Sequence, residues 1–90
     1  IKDELEIINR LGLHARAAAK LATTCNRFAC TIKTGHDDKL IDSKSVMSLM
    51  LLAAGQGTTL KFEFDGHDEM KAHAQVKDLL ADYFGEASSK

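Results

Sequence analysis

The chain has no surplus of charge of either sign: 12 Lys and Arg stand against 13 Asp and Glu, a formal net charge of −1. Proteins that hold nucleic acid neutralise its phosphates with a basic excess, so no nucleic-acid partner is expected. Long hydrophobic runs are also missing. The longest apolar stretch, Leu49 to Ala54, is far short of the roughly 18 residues that cross a bilayer, so no membrane span is expected. At Ile1-Lys2-Asp3-Glu4 no apolar segment follows a basic one; no secretory leader is expected, and a cytoplasmic location is the default. Cysteine is scarce. Cys25 and Cys30 are too few for a disulfide-stapled mini-protein, and their C-x4-C spacing matches no common zinc pattern. They read as small core residues in a reducing compartment. The histidines outside position 14 do not cluster, with His36 and His67 in turns and His73 on a helix, so neither a metal nor another cofactor is expected.

What is present is an ordinary globular composition, 44% hydrophobic and 28% charged, in 90 residues that make one domain spanning 1–90. Glu4-Leu5-Glu6-Ile7 alternates and predicts a strand with Leu5 and Ile7 inward. Asn9 to Gly12 breaks it. From Ala15 the period changes: Ala18, Leu21, Ala22 and Cys25 form one stripe of a helix ending near Asn26 or Arg27. Phe28, Cys30 and Ile32 alternate as a second strand, Thr34 to Asp38 is turn chemistry, and Lys39 to Asp42 is a third strand. Ser43-Lys44-Ser45 opens a second helix running to about Ala54, with Gly55 as its left-handed terminator. Leu60, Phe62 and Phe64 define one face of a strand over Thr58 to Asp65. Gly66 turns the chain, Asp68 N-caps the last helix, and Met70, His73, Val76, Leu79, Leu80 and Tyr83 recur at helical spacing before a polar tail from Gly85. The order is β-α-β-β-α-β-α. It predicts an α+β open-faced two-layer sandwich, a four-stranded antiparallel sheet with three helices on one face.

The segment that carries chemistry is Gly12-Leu13-His14-Ala15-Arg16. A glycine loop delivers a histidine to the mouth of a helix, whose first N–H groups lack intrahelical acceptors and whose dipole favours an anion. A neutral imidazole there is a nucleophile. The N–H groups of Ala15, Arg16 and Ala17 and the Arg16 guanidinium could then hold phosphoryl oxygens. Phosphoryl transfer needs mainly in-line access and charge stabilisation, so no general base is required. The chain has no Gly-rich phosphate loop, and no nucleophile–base pair for a stand-alone hydrolase. On these residues alone, a surface or capping histidine remains the competing reading.

Gly12-Leu13-His14-Ala15-Arg16 resembles the active-site motif of the HPr family, phosphocarriers of the bacterial phosphoenolpyruvate-dependent sugar phosphotransferase system. Lys44-Ser45-Val46-Met47, Gly55-Gln56-Gly57-Thr58 and Gly66-His67-Asp68-Glu69 resemble that family's second-helix start, following turn and last-helix start, so the likeness spans the chain. The resemblance implies that His14 takes a phosphoryl group at Nδ1 from enzyme I and passes it to an enzyme IIA domain, with Arg16 as electrostatic partner. It also marks Ser45 as a candidate for phosphorylation by an HPr kinase. One departure stands out: the family usually has proline after the arginine, whereas this chain has Ala17 and no proline anywhere. Proline there would preset φ and forgo a donor, so the change bears on how firmly His14 is held and which relay is served, sugar uptake or a regulatory branch.

The second helix is apolar nearly all round. Leu49 and Leu52 are expected in the core, with Val46, Met47 and Met50 forming a partner-binding surface. The chain is expected to be a monomer. The alternative is a non-transferring regulatory module that uses the Met47/Met50 surface to bind a transcription factor or enzyme.

Overall fold

The computed structural model describes residues 1–36 and 39–86; Asp37 and Asp38 of the expected turn, and the last four positions, lie outside them. The elements are β1 (Lys2–Glu6), α1 (Ala15–Cys25), β2 (Thr31–His36), β3 (Lys39–Asp42), α2 (Val46–Leu51), β4 (Thr59–Asp65) and α3 (Glu69–Ala81), followed by one 3-10 turn, Tyr83–Gly85. One antiparallel sheet has the order β1-β4-β2-β3. This is the open-faced sandwich that the alternation of periods predicts. No helix among the described residues is long and apolar enough to cross a membrane.

The inner face of β4 presents Leu60, Phe62 and Phe64, all buried, and the predicted α1 stripe of Ala18, Leu21, Ala22 and Cys25 packs over the sheet beside Ala17. Small alanines let the helix backbone come close. The outer face carries charge instead. Across the four strands, Lys2 lies opposite Glu63, Glu63 opposite Lys33, and Lys33 opposite Asp42. Such a row of alternating sign keeps the open face wet and pins the register.

Several boundaries differ from the sequence pattern. The second strand starts at Thr31 rather than Phe28 and runs on through Thr34, Gly35 and His36, which read as a turn. Asp68 causes the late start: its carboxylate accepts the N–H groups of Ala29 (2.8 Å) and Cys30 (2.9 Å), so those donors never enter a ladder. Asp68 does stand at the N-cap of α3, but its side chain makes no cap hydrogen bond there. Gly35 is a strand glycine because an added Cβ would run into the Lys39 carbonyl. Met70 is exposed although it seemed part of the α3 stripe; the buried line is Ala72, Val76 and Leu80, and two residues from Ala72 is about 200° round a helix. His73 lies at the edge of that line. It stacks edge-on against Phe64 at 5.2 Å and its Nε2 meets Asp3 Oδ2 at 2.8 Å, a contact that holds the Asp3 carboxyl below its ordinary range.

Both cysteines are buried free thiols. Burial pushes Cys25 up to about 12. Burial, and then the neighbouring Asp68 carboxylate, take Cys30 to about 11.

Asp68 gives a pH-dependent prediction. Its hydrogen bond from Ala29 is the largest influence holding its carboxyl below the usual 3.8. A depressed folded value means that the stabilisation is complete above the unfolded value and is lost as pH falls through the folded one. Asp68→Asn is therefore expected to lower Tm at pH 7, with the gap to the native chain closing as pH drops below about 3.8. Thermal unfolding followed across pH 2–7 checks this; a constant gap would contradict it.

Helix α2 ends at Leu51, three residues before the expected Ala54, and Leu52, expected in the core, packs half-buried against it. The left-handed residue that follows is Ala53 (φ 51), while Gly55 stays outside that region. Beyond that left-handed residue the Ala54 carbonyl accepts the Leu13 N–H at 2.8 Å, a bond between this exit and the loop that carries His14. At the other end Ser45 is the N-cap, its Oγ accepting the Ser48 N–H at 3.3 Å. Ser45→Ala is expected to cost about 1 kcal/mol, measurable by urea unfolding.

Candidate functional site

The loop from Asn9 to His14 is built to hold its last residue at a helix mouth. Gly12 adopts φ +69, a conformation that glycine alone takes freely. Buried Asn9 braces the turn, its Nδ2 donating to the Gly12 carbonyl at 2.8 Å. Buried Leu13 anchors the loop in the core. His14 then occupies the N-cap of α1 with extended backbone (φ −76, ψ 179), and its carbonyl accepts the first helical bond from Ala18 at 2.8 Å. Its ring makes no cap hydrogen bond. The imidazole is therefore free of the role that a capping side chain would play, and it remains 31% exposed.

His14, Arg16, Lys20, Phe84 and Glu86 line a cleft of about 780 Å³. Ala15, Arg16 and Ala17 occupy the first turn of α1, where backbone N–H groups have no intrahelical acceptor. Ala17 has a buried side chain, and unlike a proline it keeps its N–H. Arg16 is exposed and has no ion pair among the described residues. An anion entering the cleft would meet a dipole end, a guanidinium and an imidazole together.

Glu86 escaped the sequence reading, which saw only a polar tail from Gly85. Tyr83, Phe84 and Gly85 are all left-handed (φ 57, 53 and 73), and two such non-glycine residues cost roughly 1–2 kcal/mol each. Burial of Phe84 and a 2.8 Å bond from Lys20 Nζ to its carbonyl hold that turn in place. The chain is thereby bent back so that the Glu86 carboxylate accepts from Asn9 Nδ2 (2.7 Å) and the Leu11 N–H (3.1 Å) and stands 3.4 Å from His14 Nε2. No local pattern signals this, since Asn9 and Glu86 lie 77 positions apart.

Helix α2 and the histidine loop expose several apolar side chains. Met47 (74%) and Met50 are exposed and Val46 is half-buried, and Leu51 (82%) and Leu11 on the histidine loop are exposed as well. Leu51 was missed because a helix ending at Leu51 leaves its last residue no neighbour to pack on. Ser45 sits at the head of this surface, half-buried in its capping bond.

Residues 1–82 match the family PTS-HPr, described as the PTS HPr component phosphorylation site. The chain is 44% identical over 86 residues to the phosphocarrier protein HPr of Neisseria meningitidis serogroup A, covering 96% of this chain and 97% of that protein. It is 44% identical over 84 residues to that of Pseudomonas putida, covering 92% of this chain and 93% of the relative. Among solved structures, HPr-C-His from Thermoanaerobacter tengcongensis superposes with a TM-score of 0.91 at 37% identity, covering 96% of this chain and 97% of the other.

Proposed function

This chain belongs to the HPr family of phosphotransferase-system phosphocarriers, and from that premise we propose that His14 Nδ1 accepts a phosphoryl group from enzyme I and passes it to an enzyme IIA domain. The observation that carries this is a partly exposed imidazole at the open N-terminus of α1, sharing a cleft with the exposed Arg16 guanidinium. In the forward step the Nδ1 lone pair forms the N–P bond while the donor's bond to phosphorus breaks and takes its electron pair away. The N–H groups of Ala15, Arg16 and Ala17 and the Arg16 side chain hold the equatorial oxygens as charge develops on them. Alanine at 17 adds a donor to that set. The bound group stays at a surface from which a second protein can remove it.

Met47, Met50 and Val46 supply the docking face, joined by Leu11 and Leu51. The Leu13–Ala54 bond keeps that face beside the phosphoryl site, so one partner can cover both. Ser45 is the candidate for a kinase-driven brake: a phosphate there would add charge at the edge of an apolar docking face. On this reading residues 1–90 act as a single HPr-like domain in the cytoplasm. Incubation with enzyme I and phosphoenolpyruvate tests the proposal. The expected product carries an acid-labile, base-stable phosphoryl group on the peptide containing His14, and it delivers that group to an added enzyme IIA domain. A native chain that takes no label would end the proposal.

A further inference from the structure

We propose that Glu86 is the positioning residue for His14: its carboxylate holds the ring as the Nε2–H tautomer, aims the Nδ1 lone pair at the incoming phosphorus, and balances the charge that phosphorylation places on the ring. This rests on the reading of His14 as phosphoryl acceptor and adds a residue that acts through it.

The geometry is specific. Glu86 is a carboxylate whose side chain is only 9% exposed, which is unusual for an acid. It is oriented by two donors, Asn9 Nδ2 on Oε2 at 2.7 Å and the Leu11 N–H on Oε1 at 3.1 Å. Asn9 is itself buried and tied to Gly12, so the carboxylate is braced against the loop that presents His14. Oε2 faces Nε2 of the ring at 3.4 Å, an ion-pair separation longer than a hydrogen bond, so its pull on the ring is electrostatic. An ionised carboxylate can only accept, so the neutral ring is favoured with its proton on Nε2 and its lone pair on Nδ1. Ligating and catalytic histidines are commonly oriented through the nitrogen that does not react.

The charge balance follows from the step itself. When Nδ1 bonds phosphorus and the donor departs with its electron pair, the proton on Nε2 stays where it is. The ring therefore becomes cationic as the N–P bond forms, and its positive end faces Glu86. On the reverse step the ring returns to neutral and the pairing weakens. Glu86 thus stabilises the phosphorylated state relative to the free one through the ring nitrogen that does not bond phosphorus.

The experiment uses the full chain with 15N-labelled histidine. Long-range 1H–15N correlation, at a pH where imidazole is neutral, reads the His14 tautomer directly. The native ring is expected to carry its proton on Nε2. In Glu86→Gln an amide replaces one acceptor oxygen with a donor, and the ring is expected to relax to a tautomer mixture. The equilibrium of phosphoryl groups between enzyme I and this chain is expected to shift against the chain by roughly five- to tenfold, with backbone amide shifts outside the His14 loop unchanged. A native ring protonated on Nδ1 overturns the proposal without any variant, which covers the case in which Glu86→Gln folds poorly. Identical tautomers and equilibria in the two proteins overturn it as well, while His14 labelling would still stand. If the native chain takes no label, the phosphocarrier reading fails instead.

Discussion

His14→Ala is expected to abolish phosphoryl acceptance while leaving the fold in place. The two halves of that expectation have separate grounds. The ring makes no cap hydrogen bond to the backbone of α1, and the carboxylate beside it keeps its donors Asn9 and Leu11. Alanine is a poor N-cap, but the bond usually lost on such a change is already absent, so the stability cost should stay below about 1 kcal/mol. The chemistry has no such reserve. Within the cleft the remaining polar side chains are Arg16 and Lys20, both cationic, and the Glu86 carboxylate, and none of them offers a neutral nitrogen lone pair at neutral pH. The anion site would persist without a nucleophile. Circular dichroism matching the native chain, together with loss of all acid-labile label, is the expected result. Label at native levels in the variant would move the acceptor elsewhere and remove the basis of the proposed relay.

The parts of this protein that were legible in its sequence are those whose causes are local. A period of two gave β4 because Leu60, Phe62 and Phe64 need only a sheet with one covered face. A helical period gave the α1 stripe because every member of it packs on that same face. His14 was legible for a related reason: the glycine before it, the helix after it and the arginine two positions on are contiguous in the chain. What escaped was decided by polar groups meeting across the fold. Asp68 takes the amides of Ala29 and Cys30 out of β2, so that strand end moved for want of donors, and left-handed Ala53 ends α2 before Ala54. Glu86 escaped most completely. Its position depends on left-handed Tyr83 and Phe84, which are held by burial and by Lys20, none of which leaves a periodic trace.

That long-range bonding makes Gly12 a position where one methyl group should do heavy damage to the site as well as to the fold. At φ +69 an alanine loses the freedom glycine has, at a cost of about 1 kcal/mol or more. Its Cβ would also lie 2.7 Å from the Ala54 carbonyl oxygen and 2.9 Å from Gly55 Cα. Those are backbone atoms that cannot rotate aside, so the clash must push apart the loop and the exit of α2, where the 2.8 Å Leu13–Ala54 bond joins them. Overpacking of this kind adds roughly 1–3 kcal/mol. The expected total for Gly12→Ala is about 2–4 kcal/mol, a large share of what a small domain has, and corresponds to a fall in Tm on the order of 10–25 °C. Phosphoryl acceptance should fall with it, because the loop displaced is the one that aims His14. Gly55→Ala is the internal control: it lies one contact away, adopts no left-handed conformation, and nothing stands within 4 Å of an added Cβ. It should leave both Tm and labelling near native values. Thermal melts and labelling rates for the two variants side by side decide the matter, since equal behaviour would mean that the loop and the helix exit are not coupled through Gly12.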